Sequence, residues 1–164
     1  MTYAYIALGA YLLNAVSFLI DKHLLAAPIP KPFAYAFGTA VLSAAALLLI
    51  PFGVYWPGWG DFAIALVSGG AFFAGLIFLY RSVRHGDVAV SAAKAGAFTA
   101  LFSTLFAVGF LGENLLSLNA LSLVLLVTGI FFLTRVGRSI LRFSLLAGLC
   151  LALSFVLLDR KSVV

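Results

Sequence analysis

A run of about two dozen apolar or small residues, from Val88 to Leu111, constrains this chain more than any other feature. At about 1.5 Å per residue, a helix of that length crosses the hydrocarbon core of a bilayer. Its one charged residue is Lys94. An ammonium group at that depth costs roughly 2.5–3.5 kcal/mol, so it normally turns toward protein or water. The run therefore predicts a membrane-spanning helix in which Lys94 is the most informative position.

The composition extends this prediction to the whole chain. Of its 164 residues, 65% are hydrophobic and 9% are charged, whereas soluble domains carry about 25% charged residues. The mean hydropathy is +1.21. We therefore expect the lipid bilayer as the environment, and the net charge of +5 reports topology rather than a nucleic-acid partner.

Six apolar segments predict an all-α integral membrane protein with six transmembrane helices. They cover residues 3–20, 33–54, 62–79, 88–111, 116–134 and 141–158. The polar run Asp21-Lys22-His23 is expected to end the first helix. A basic hairpin is expected between helices three and four, with Arg81, Arg84 and His85 closed by Gly86 and Asp87.

Basic residues alternate between the connections in a way that predicts orientation. The connections after helices one, three and five carry Lys or Arg, whereas the second and fourth carry only Asp61 and Glu113. By the positive-inside rule, the three basic connections are cytoplasmic and the N-terminus is outside. This predicts a multi-pass protein of the cytoplasmic membrane.

The two ends of the chain carry a short internal repeat. Ser17-Phe18 recurs as Ser154-Phe155, and Asp21-Lys22 recurs as Asp159-Arg160. Five helices separate the copies, and an odd number inverts the second copy, as in many secondary transporters. The sixth helix then opens an inverted second repeat. The chain is expected to be part of a ten-helix protein, or a half that pairs with a second half or as a homodimer.

Three pieces of sequence resemble the EamA-type repeat of the drug/metabolite transporter superfamily. They are YRSVRHGDV at residues 80–88, LGENL at residues 111–115, and the following apolar helix with Gly129. The resemblance implies one five-helix repeat at residues 3–134, a basic loop at 135–140 and the first helix of an incomplete second repeat at 141–164. It also implies a carrier of amino acids, metabolites or drugs. The chain departs from the family in having no proline near Phe98 in the fourth helix.

A carrier needs a few polar groups in an apolar wall near the middle of the bilayer. The candidates for a substrate cavity are Lys94, Asn14, Ser17, Tyr11, Thr39 and Tyr80, and the candidates for gating or coupling are Asp21 and Glu113. Steps of three and four residues put Tyr11, Asn14, Ser17 and Asp21 on one stripe of the first helix. Tyr35 and Ser43 share a face with Thr39.

Plainer roles are open for six of these residues. Thr39 could bond back to the backbone of its own helix, and Tyr80 could be an anchor at the membrane interface. Asn14 could bond a neighbouring helix, Asp21 could pair with Lys22, and Lys94 could extend along its stem to the membrane surface. Glu113 could satisfy N–H groups at the start of the fifth helix.

No enzyme, cofactor or metal site is expected. His23 and His85 have no partner at ligand spacing, and the chain has no phosphate-binding or nucleophile motif. The first hypothesis is a secondary carrier with a small-molecule substrate. The second is a non-transporting scaffold or accessory bundle. The third is a dimeric small multidrug-type exporter, which ranks lower because the acid of the first helix, Asp21, stands near the end of that helix.

Overall fold

The computed structural model describes residues 2–26, 31–45, 48, 58–111, 117–135 and 140–159. This part of the chain contains six helices and no strand, which confirms the all-α prediction. The helices are α1 (Thr2–Ala26), α2 (Pro32–Ser43), α3 (Trp59–His85), α4 (Val88–Leu111), α5 (Ser117–Arg135) and α6 (Leu141–Asp159).

Four of the helices contain stretches long and apolar enough to cross a membrane: Tyr5–Ala26, Trp59–His85, Val88–Gly109 and Leu141–Asp159. These four are consistent with a multi-pass membrane protein. α5 contains the shorter apolar stretch Leu121–Ile130, and α2 has 12 residues. The rest of the predicted second segment, residues 46–54, lies outside the described residues except for Leu48.

Helices α1 and α3 are longer than predicted. Asp21, Lys22 and His23 lie within α1 rather than ending it. α3 continues through Arg81, Arg84 and His85, so the predicted hairpin is reduced to a turn at Gly86 and Asp87. The reason is that Lys, Arg and Leu are good helix formers, and a helix that has crossed the apolar layer can continue into the polar one.

α6 packs antiparallel against α3 along a stripe of small residues. Ser68 meets Ser154, Gly75 meets Leu151 and Ser82 meets Ser144. The two serine pairs are buried, with Oγ···Oγ distances of 3.0 Å and 2.8 Å. The α3 residues are seven apart, which keeps them on one face. Small residues and hydroxyl pairs of this kind hold helices together in lipid, where apolar surface alone gives no preference.

α4 approaches α6 at Gly148. A Cβ atom at this position would overlap Phe98 Cβ and would lie 2.9 Å from the backbone of Phe98 and Thr99. Ser82, which pairs with Ser144 of α6, also contacts α4, because Ser91 Oγ donates to Ser82 O at 3.1 Å. Helices α3, α4 and α6 therefore form the close-packed part of the molecule.

α1 and α2 lie outside this packed group. Residues 5–17 of α1 are all exposed, whereas Leu25 near its C-terminal end is 1% exposed and packs in the core cluster with Val83. α2 contacts α3 through Tyr35 and through an edge-to-face contact of Phe33 with Phe73 at 5.9 Å. α1 is thus held mainly at its C-terminal end.

The C-terminal part of α1, the α3–α4 turn and the start of α6 lie at one end of the bundle. Lys22, near the end of α1, bonds to the end of α3. A Cβ atom on Gly86, in the α3–α4 turn, would clash with Ile140 at the start of α6. We call this end of the molecule the basic end, because Lys22, Lys31, Arg81, Arg84 and Arg142 lie there.

Candidate functional site

A polar cluster forms at the basic end, where α1, α2 and α3 meet. The hydroxyl of Tyr35 in α2 donates a hydrogen bond of 2.5 Å to Oδ1 of Asp21 in α1. The hydroxyl of Tyr80 in α3 lies near both Asp21 and the Thr39 side chain. We call Asp21, Tyr35, Thr39 and Tyr80 the acidic cluster, since Asp21 is its one charged member.

Two tyrosine rings give this cluster its shape. The rings of Tyr35 and Tyr80 meet edge to face, with centroids 4.8 Å apart and planes at 77°. Both side chains are buried, at 9% and 6% exposure. Thr39 lies one turn beyond Tyr35, and its hydroxyl donates to Ala36 O at 2.7 Å. The oxygens of the cluster therefore sit in a mostly apolar wall.

Lys22, the neighbour of Asp21, points in a different direction. Its Nζ donates to Val83 O at 2.7 Å, Gly86 O at 2.8 Å and Arg84 O at 3.3 Å. The last carbonyls of a helix have no partner within the helix, and a cation there also interacts favourably with the helix dipole. Lys22 therefore caps α3, and the alternative in which Asp21 pairs with Lys22 is not the arrangement in the structure.

Lys94 is wholly enclosed in α4, with 0% of its surface exposed. Its neighbours Ser91 and Ala95 are also buried, at 0% and 2%. In the described part of the chain, no buried side-chain polar atom lacks a hydrogen-bond partner, and this includes Lys94. The ammonium does not extend to the aqueous phase, so the alternative in which it snorkels to the surface does not fit.

The remaining candidates are dispersed. Tyr11, Asn14 and Ser17 lie on the exposed part of α1, and Tyr11 is 75% exposed. Glu113 lies outside the described residues. The structure thus brings Asp21, Thr39 and Tyr80 together and leaves the α1 stripe uncovered. It encloses Lys94 in α4, where the next residue, Ala95, packs in one core cluster with Tyr35 and Tyr80.

Sequence reasoning missed the role of Lys22. Its acceptors are backbone carbonyls 61 to 64 residues away, and no residue type marks a carbonyl as an acceptor. It also left Tyr35 out of the candidate site, although Tyr35 shares a helix face with Thr39. The signal for Tyr35 was its four-residue spacing from Thr39.

No protein-family model, curated protein or solved structure matches the chain. The resemblance to the EamA-type repeat therefore stays a prediction based on its three sequence pieces. Within the described residues, no group of three or more His, Cys, Asp or Glu side chains could hold a metal ion.

Proposed function

We propose that the chain is a secondary carrier of small metabolites, such as amino acids or related organic solutes, in the cytoplasmic membrane. The observation that best supports this is the full enclosure of Lys94 in a helix of membrane-spanning length. A cation in the middle of such a helix is expensive, and residues of this kind commonly belong to substrate or ion pathways. Here the ammonium would attract a carboxylate or phosphate group of the solute.

The arrangement of the helices is compatible with this proposal. The acidic cluster supplies polar groups from α1, α2 and α3, and Lys94 adds a cation from α4. We propose that the six helices comprise one EamA-type repeat and the first helix of an inverted second repeat. The basic end is then cytoplasmic, as the positive-inside rule predicts.

Water access to Lys94 is tested with single cysteines. In a Cys150→Ser background, Lys94→Cys should react with a small charged methanethiosulfonate in membrane vesicles, because the transport cycle of a carrier must open this enclosed position to water in at least one conformation. Ala93→Cys is the matched control, since Ala93 is its exposed neighbour at the same depth and would face lipid. Absence of reaction at Lys94→Cys from either side of the membrane contradicts the carrier.

Transport itself is tested with purified protein in liposomes. We expect saturable uptake of at least one member of a panel of radiolabelled amino acids and related organic solutes. Lys94→Met should reduce this uptake at least about tenfold, because it removes a charge-assisted hydrogen bond. Uptake no faster than in protein-free liposomes for every solute contradicts the proposal.

A scaffold is the second candidate. The observation in its favour is the close packing of α3, α4 and α6 around Gly148 and the serine pairs, which leaves little freedom between these helices. A scaffold predicts no labelling of Lys94→Cys and no uptake, so the same two experiments separate the candidates.

A further inference from the structure

We propose that the acidic cluster binds the primary ammonium group of an amine or zwitterionic solute. This inference rests on the proposed carrier function, since it names the class of substrate. It concerns the carboxylate of Asp21 rather than the ammonium of Lys94, so the charge is of opposite sign. The argument comes from the charge balance, the oxygen geometry and the access to Asp21.

The charge of Asp21 is not balanced by a cation in the described part of the chain. Asp21 is half-buried, and its hydrogen-bond donor there is the neutral hydroxyl of Tyr35. The adjacent cation, Lys22, is committed to three carbonyls of α3 and its turn. A carboxylate withdrawn from water is costly unless a positive group or several donors compensate it. A cationic ligand would supply that compensation.

The oxygens of the cluster fit an ammonium group. Tyr35 binds Oδ1 of Asp21, and the second carboxylate oxygen, Oδ2, has further acceptor capacity. The side chain of Tyr80, which interacts with Thr39, brings a further hydroxyl oxygen near Asp21. A primary ammonium has three donors and no acceptor, so it needs a small group of oxygens with one negative charge. A carboxylate with two or three hydroxyls provides this, whereas an anionic group would be repelled.

The α1 stripe provides a polar approach to this site. Asn14, Ser17 and Asp21 follow one another at steps of three and four residues on one helix face. Asn14 and Ser17 are exposed, and Asp21 is half-buried at the far end of the stripe. A solute that moves along this face would meet an amide, then a hydroxyl, then the carboxylate. This explains why polar residues recur on the exposed side of an otherwise apolar helix.

Equilibrium binding to the purified protein in neutral detergent tests the inference. The probes are 2-phenylethylamine, its uncharged analogue 2-phenylethanol and the anion phenylacetate, which share a ring and differ in the polar group. We expect saturable binding of the amine, measured by calorimetry and by the rise of the unfolding temperature, and none of the alcohol or the anion. Asp21→Asn should weaken amine binding by about tenfold or more, and Tyr35→Phe should weaken it less.

The variants are chosen so that folding does not obscure the result. Asparagine keeps an acceptor for the Tyr35 hydroxyl, so Asp21→Asn retains that contact. Asp87→Asn is the control, because Asp87 is an exposed acid in the α3–α4 turn. It should leave amine binding unchanged. Equal amine affinity in native protein and Asp21→Asn overturns the inference.

Three further outcomes are informative. Saturable sodium binding that excludes the amine and is lost in Asp21→Asn assigns the site to an inorganic cation and overturns the inference. Amine binding that depends on Asp21, without solute uptake or Lys94→Cys labelling, supports the ammonium site and contradicts the carrier. Uptake that depends on Lys94 but not on Asp21, without amine binding, contradicts the ammonium site and supports the carrier.

Discussion

Two adjacent residues with opposite charges, Asp21 and Lys22, join α1 to two different helices. Successive residues of a helix point about 100° apart, so Asp21 reaches Tyr35 in α2 while Lys22 reaches the end of α3. An acid beside a base in a sequence is easily interpreted as an ion pair. In this molecule the two residues bind other groups. Lys22 binds carbonyls at the end of α3 that have no partner within the helix, and Asp21 accepts a hydrogen bond from the hydroxyl of Tyr35.

The cap formed by Lys22 predicts a measurable effect on stability. Lys22→Met leaves the carbonyls of Val83 and Gly86 without their donor, and hydrogen bonds to charged groups contribute about 1.5–3 kcal/mol. We expect the thermal unfolding temperature of the detergent-purified protein to fall by several degrees. Lys31→Met removes the same charge from an exposed side chain at the same end. Equal unfolding temperatures for the two variants would contradict the capping role.

At the scale of elements, small residues rather than large ones determine which helices touch. The buried residues of α6 are Ser144, Ala147, Gly148, Ala152, Ser154 and Val156. Small residues stand four apart at Ala71 and Gly75 in α3 and at Ala92 and Gly96 in α4, a spacing that lets helix backbones approach closely. Gly75 of one pair is indeed buried against Leu151, whereas Gly96 of another has no atom near its missing side chain. Spacing alone cannot distinguish these two glycines, because it does not reveal which face meets a neighbour.

A series of glycine-to-alanine changes tests this packing. Gly148→Ala should destabilise the protein most, by about 1–3 kcal/mol, because the added methyl group meets the backbone of α4. Gly75→Ala should cost less, since it meets mainly the movable side chain of Leu151. Gly69→Ala is the control. It has open space around it and should be neutral or stabilising, because alanine favours helix by up to about 1 kcal/mol. Reversible unfolding in mixed micelles measures the free energy of unfolding of each variant. Any other ranking of the three variants contradicts the packing.

The limits of α4 were predicted correctly, whereas those of α1 and α3 were not. The turn at Gly86 and Asp87 marks the start of α4 in the sequence, and its apolar run has no other break until Leu111. For α1 and α3, the polar residues were interpreted as helix ends. Hydropathy detects where a helix leaves the apolar layer, and it carries no information on where the backbone hydrogen bonds stop.

The candidate site was predictable in its residue types and unpredictable in its grouping. Asp21, Thr39 and Tyr80 were singled out because polar side chains in apolar helices are rare and need a partner. Their meeting depends on how α1, α2 and α3 cross, which one sequence without relatives does not specify. Lys94 was singled out for the same reason, and its enclosure depends on neighbouring helices that the sequence does not identify.

At the scale of the whole molecule, the ends of α3 should lie on opposite sides of a membrane. α3 has 27 residues, which is about 40 Å of helix. In a Cys150→Ser background, a membrane-impermeant maleimide should label Gly58→Cys in intact cells. It should label Arg84→Cys only after permeabilisation, because the basic end is cytoplasmic by the positive-inside rule. Both residues are exposed. Labelling of both from one side contradicts a membrane-spanning α3, and the reverse pattern contradicts the orientation.

The bonds of Lys22 also have a consequence for biosynthesis. Its acceptors belong to residues that the ribosome adds 61 to 64 positions later. When the ribosome has just completed α1, the carbonyls that Lys22 will bind have not yet been made. The attachment of α1 to α3 through Lys22 must therefore wait until the turn at Gly86 is complete, and in a nascent chain halted before that turn the described polar contact left to the end of α1 is that of Asp21 with Tyr35.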